Sequence, residues 1–178
     1  MELIKLKKKN NILDILGLNI IKINETQLKD STKEKGYTDY MKGLDNCFGI
    51  FDIITVRSFS FNQDLSGNAS FNLILNHSEK VGVSMDALKK LVNTISSEYG
   101  IDGNGSSQWT EDDSFGFHDH WEGREWILDK KGKSHKEFSK EHVQVNLSYY
   151  NGEAELSILE ANKLVKWQKN KKVHQPVQ

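Results

Sequence analysis

The segment Val143–Glu160 constrains this chain more than any other, because it carries its own turn. Asn151-Gly152 lies between two runs of alternating apolar and polar residues. A two-residue type I′ turn needs positive φ at both central positions, which Asn and Gly adopt at least cost. Closing the chain there sets Tyr149 against Ala154, Leu147 against Leu156 and Val145 against Ile158. Those six side chains share one face, while Asn146 opposite Ser157 and Ser148 opposite Glu155 share the other. A one-residue slip would turn the apolar set to water, so the pattern specifies register as well as turn.

A hairpin with one apolar face needs cover, and Ser84–Tyr99 is built to supply it. Ser84 is a good N-cap, Asp86 sits in the first turn and Gly100 follows the end. Leu88, Leu91, Val92, Ile95 and Tyr99 fall on one stripe at helical spacing. Upstream, Cys47–Asn76 changes to a period of two. Phe51, Ile53, Thr55, Arg57, Phe59 and Phe61 lie on one side and Ile50, Ile54 and Val56 on the other. Phe71, Leu73 and Leu75 alternate with polar neighbours, and Asn62–Asn68 between the runs reads as the loop of an antiparallel pair.

The remaining stretches are less sharply patterned. Ile12, Leu13, Ile15 and Leu16 suit a short helix stopped by Gly17, with Leu18–Ile23 as a strand. Tyr37, Tyr40, Met41 and Leu44 have the spacing of a short helix, and Leu164, Val165 and Trp167 give Glu160–Lys172 the apolar side of a terminal one. The expected fold is α+β: a largely antiparallel sheet, one main helix (84–99) packed on a face, a C-terminal β-hairpin and possible terminal helices. With 178 residues, no internal repeat and no low-complexity linker, the chain reads as a single domain over 1–178 with flexible ends at 1–10 and 168–178.

Composition narrows the function classes. The single cysteine, Cys47, lies among Phe48, Ile50 and Phe51 and reads as a buried apolar residue rather than a reactive thiol. Lys5, Lys7, Lys8 and Lys9 precede an apolar run, but Asp14 and Asn19 interrupt it and no small-x-small cleavage site follows. No stretch reaches the roughly 20 apolar residues that span a bilayer, so the expectation is a cytoplasmic protein without a membrane partner. Only two arginines occur, Arg57 and Arg124. Base-edge readers depend on bidentate arginine, so nucleic-acid recognition is disfavoured.

Charge is unevenly placed. Between Glu98 and Asp129 nine acids stand against one base, Arg124, whereas Lys163–His174 holds five lysines and no acid. The acidic segment is interleaved with Trp109, Phe115, Phe117, Trp121 and Trp126. Aromatic anchors with a charged rim are what a specific protein interface uses, and a field of one sign speeds encounter with a basic partner. The reading favoured by the sequence is therefore a non-enzymatic protein-binding domain without a cofactor, with Trp109, Glu111, Asp112, Asp113, Phe117, Asp119, Trp121 and Glu122 as its interface. Its physical analogy in charge and size is the small bacterial immunity protein that inhibits a basic toxin. On this reading the acids face water, and neutralising Asp112 and Asp113 leaves stability unchanged or slightly raised.

The alternative is a metal-dependent enzyme or metal-binding domain. On a strand His118, His120 and Glu122 would share a face, with the two histidines roughly 7 Å apart between Cα atoms. With Glu122 or Glu125 they make a two-histidine, one-carboxylate set suited to Zn, Fe or Mn. His118-x-His120 with Glu125 and Gly132 resembles the first metal motif of the cupin barrels, and His142 with Asn146 echoes the end of the second. That resemblance implies a β-barrel metal site. The second motif's proline and glycine are absent, the Glu125–His142 spacing is too short for the intervening strands, and a helix at 84–99 has no place there.

Overall fold

The structure, a computed structural model, describes residues 11–24, 27–32, 36–59, 70–78, 83–111, 113, 120–129, 133–139 and 141–168. In chain order the elements are α1 (Ile12–Ile15), β1 (Ile21–Ile23), β2 (Leu28–Thr32), β3 (Tyr37–Cys47), β4 (Phe51–Ser58), β5 (Phe71–Asn76) and α2 (Met85–Tyr99). Then follow β6 (Trp121–Leu128), β7 (Ser134–His135), β8 (Val143–Tyr150), β9 (Glu153–Leu159) and β10 (Val165–Trp167). Eight strands form one sheet in the order β2-β3-β4-β5-β9-β8-β6-β7, and β1 pairs β10 in a separate two-stranded sheet. Every pairing in the large sheet is antiparallel; β1 and β10 run parallel. This is the mixed α+β architecture expected from the sequence.

The β8–β9 hairpin has the foreseen register throughout, from Val145↔Ile158 to Tyr149↔Ala154. Asn151 has φ 51° and Gly152 φ 85°, as the turn requires. The hairpin is central, joining β5 on one side to β6 on the other. Cross-strand rows then define two faces. Tyr40, Val56, Leu73, Ile158, Val145 and Trp126 form one row, and Ile54, Leu75, Leu156, Leu147 and Arg124 the next. All of these except Arg124 belong to the apolar core.

Helix α2 supplies the other wall of that core. The Ser84 hydroxyl accepts from the Ala87 N–H at 3.2 Å, and the Gly100 N–H closes the C-terminus onto the Ser96 carbonyl. Leu88, Leu91, Val92 and Ile95 are all 0% exposed, which confirms the stripe as core. Gly17, at φ 70°, ends α1 where expected. Cys47 is buried, its thiol donates to the Leu16 carbonyl at 3.3 Å, and desolvation pushes it up to about 11.

Two expectations are corrected. Tyr37–Leu44 is not helical but lies in β3, an eleven-residue strand held between β2 and β4. Tyr40 faces the core while Met41 is 36% exposed, an alternation of period two that the i, i+3, i+4 spacing conceals. Glu160–Lys172 is likewise not a terminal helix. Its described part turns at 162–164 and enters β10, where pairing with β1 takes up the backbone. The expected β4–β5 loop lies at 60–69, outside the described residues. Among the described residues no helix is long and apolar enough to cross a membrane.

Candidate functional site

The connection from Gly100 to His120 was expected to present the acidic, aromatic surface. Its described part has no helix or strand, yet it is fastened to the core at several points. Asp102 folds the first turn, accepting from the Asn104 N–H (3.0 Å) and the Ser106 N–H (2.7 Å). The Ser96 hydroxyl on α2 donates to the Ser107 carbonyl at 2.6 Å, and Asn93 Oδ1 accepts from the Trp109 N–H at 2.7 Å. The Gly103 N–H donates to the Glu125 carbonyl at 2.6 Å, which ties the connection to the outer edge of β6.

At the centre stands Arg124, on the core face of β6 and 6% exposed. One of its terminal nitrogens donates to Asp102 Oδ2 at 3.3 Å; the other donates to Asp113 Oδ2 and reaches the Gln108 carbonyl at 3.4 Å. Asp102 is 2% exposed. Asp113 also accepts from the Trp121 indole N–H at 3.3 Å and the Thr110 N–H at 2.8 Å. Two of the nine acids are thus internal partners of the one arginine in their segment. A buried carboxylate keeps its charge only when paired and hydrogen-bonded, as both are here. The Arg124 Nε–H and the Trp126 indole N–H are buried without an acceptor, at about 1–3 kcal/mol each.

Gly123 makes this arrangement possible. Trp121 pairs with Tyr149 and Arg124 with Leu147, so one extra residue is accommodated in β6 between them. Gly123 has φ 84°, and a Cβ there would drive into the Leu147 carbonyl oxygen. The bulge puts Trp121 and Arg124 on the same face, although regular alternation would separate them.

The expected interface residues therefore divide. Glu111 is exposed; Trp109 is half-buried, its ring 5.0 Å from that of Trp121. Trp121, at 4% exposure, is a core residue and not an accessible anchor. Asp113 is committed to Arg124, so the expectation that its neutralisation leaves the fold untouched is overturned. Asp112, Phe117 and Asp119 lie outside the described residues, as does the side chain of Glu122.

Of the residues in the metal reading, His118 lies outside the described residues. His120 is exposed and sets its ring edge against Tyr150, with centroids 5.7 Å apart. Glu125 accepts from Gln144 Nε2 at 2.6 Å. Tyr150 and Gln144 are six residues apart on β8, about 20 Å along the strand, so His120 and Glu125 cannot share one ion. An ion on His120 would need its carboxylate from Glu122. Among the described residues no group of three or more His, Cys, Asp or Glu is gathered for a metal. The open sheet, with α2 in its core, is not a cupin barrel.

A further side-chain group that the sequence did not flag lies on the sheet face away from α2. Arg57 forms a two-pronged pair with Asp39, both hydrogen bonds 2.9 Å, and lies 4.0 Å over the Tyr37 ring. The Asp39 hydrogen bond raises the Arg57 pKa above its ordinary value. The only sequence signal was the alternation that puts Arg57 on a face with Ile53 and Thr55. Compared with protein-family models, with curated proteins and with solved structures, the chain matches none.

Proposed function

We propose that this chain is a non-enzymatic binding protein that acts in the cytoplasm. On this reading the Gly100–His120 connection is presented to a basic protein partner, in the manner of an inhibitor or immunity protein. The observation that carries the reading is the Asp102–Arg124–Asp113 network. Long connections without regular structure are uncommon unless they have a role, and this one is held by a buried ion network. Fixing a loop before binding lowers the entropy lost on association, so a pre-organised acidic loop is what a tight interface needs. Glu111 remains exposed at its outer side.

The test is a partner retained by the wild-type chain and lost by Glu111→Lys/Asp112→Lys at unchanged melting temperature. That partner should be basic, and its association should slow as salt rises. Retention of a neutral or acidic partner with salt-independent rates overturns the reading. So does a melting temperature that falls on chelation in the wild type but not in His118→Ala, the signature of a metal bound only by the folded state.

A further inference from the structure

The sheet has a second face, and its side chains stand outside the core. Met41, Thr55, Ile74, Ser157, Asn146 and Glu125 form one continuous row across six strands. Ile53, Ile74, Leu159 and Ile127 also have no place in the core cluster that joins α1, α2 and the opposite face. The middle of this face is a mixture of branched apolar and small polar side chains.

Its charges and aromatics lie toward the margins. Tyr150, 61% exposed, stands directly opposite the exposed Glu153, and the exposed Ser148 and Glu155 form the next pair along. Asp39 and Glu125 bring the acids named on this face to four, against Arg57, whose charge is matched by Asp39. His120, the last residue of the connection, rests its ring on Tyr150. The acidic connection and the open face are therefore continuous.

We infer that the β8–β9 end of the open sheet face is the second half of the docking surface, and that its occupant is a basic surface of the same protein partner. The inference rests on the reading of the connection given above. Size supports it. From β3 to β6 the face crosses five strand spacings, about 24 Å, and Gln144–Tyr150 spans about 20 Å, a plan area of about 480 Å². A standard interface takes about 800 Å² from each partner. The face alone is too small, and the adjoining connection extends it toward that value. Tyr150 is the anchor: an exposed aromatic surrounded by carboxylates attracts a lysine or arginine side chain through ring and charge together.

The probe is a decapeptide of alternating lysine and threonine, added at low salt to the isotopically labelled full chain, with binding followed residue by residue. The expected result is saturable shifts at Ser148, Tyr150, Glu155 and Ile74 together with Glu111. Tyr150→Ala and Glu155→Lys should each weaken binding at least tenfold, while Asp86→Lys, on exposed α2, changes it less than twofold. Each variant is first checked for an unchanged β8–β9 amide pattern. Shifts at Glu111 without shifts on the sheet overturn this inference and leave the reading of the connection standing. Shifts spread evenly over the surface, Asp86 included, or none at all, overturn both.

Discussion

Asp102→Asn is the most informative single change, because it removes charge while keeping shape. Side-chain exposure is 5% for Arg124, 0% for Asp102 and 10% for Asp113, so the network lies out of reach of solvent screening. Breaking a buried pair by removing one partner costs about 3–5 kcal/mol. Asp113 still faces Arg124 after the substitution, which places the expected loss near the lower end, about 3 kcal/mol. With a urea slope of about 2 kcal/mol per molar, the denaturation midpoint should fall by about 1.5 M. Glu111→Gln, in the same segment but exposed, should stay within about 0.5 kcal/mol of wild type. Replacing all three groups at once (Asp102→Asn, Arg124→Met, Asp113→Asn) should recover most of the loss, because no uncompensated buried charge remains. A midpoint for Asp102→Asn indistinguishable from that of Glu111→Gln would falsify the network as the fastening of the connection.

Three further outcomes are expected. Leu91→Ala, at a 0% exposed position on α2, should cost about 2–5 kcal/mol by urea denaturation; a loss below 1 kcal/mol contradicts the packing described. Gly123→Ala should abolish β6–β8 pairing, seen as lost amide protection at Arg124 and Leu147, whereas Gly152→Ala, with open space around its Cβ, should cost only about 1–2 kcal/mol of left-handed backbone strain. The Ser78 hydroxyl, 2.6 Å from Asp52, holds that carboxyl below its ordinary 3.8, so its stabilising contribution is present above that value and fades as pH falls through the lowered one. Carbon-detected titration should find Asp52 returning toward 3.8 in Ser78→Ala; an unmoved midpoint rejects the hydrogen bond as the cause.

What the sequence made legible was local. The hairpin, α2 and the β4–β5 alternation each declare themselves within about fifteen residues through a turn, a cap or a period. What it hid was set at long range. Tyr37, Tyr40, Met41 and Leu44 share a helical spacing, but β4 offers their backbone a ladder from Thr38↔Ser58 to Gly43↔Ile53. Val165–Trp167 carries too weak a pattern to announce a parallel pairing with Ile21–Ile23, more than 140 residues away. The candidate site was half legible. Counting charges found the acidic segment, but a count treats every acid as solvated and cannot see that Arg124 takes two of them inside. One local clue was present: a glycine in Trp121–Leu128, followed at once by arginine in an otherwise apolar strand, is the mark of a bulge.

That bulge has a consequence for how the molecule tolerates changes in its own length. β6 runs in two phases, one ending at Trp121 and the other starting at Arg124, and both point inward only because of the extra residue between them. Losing one residue there would leave a choice between two bad alignments. Either Trp121 stays inside and Arg124, Trp126 and Leu128 turn outward, or those three stay and Trp121 leaves, taking its indole from Asp113. A strand of uniform phase can slide against its neighbour by two residues and keep its apolar side inward; this one cannot, because a shifted kink no longer meets the Leu147 carbonyl that it was shaped around. Gly123 thus acts as an index mark for the whole β6–β8 seam, and it holds the acidic connection and the open face in fixed relation across it.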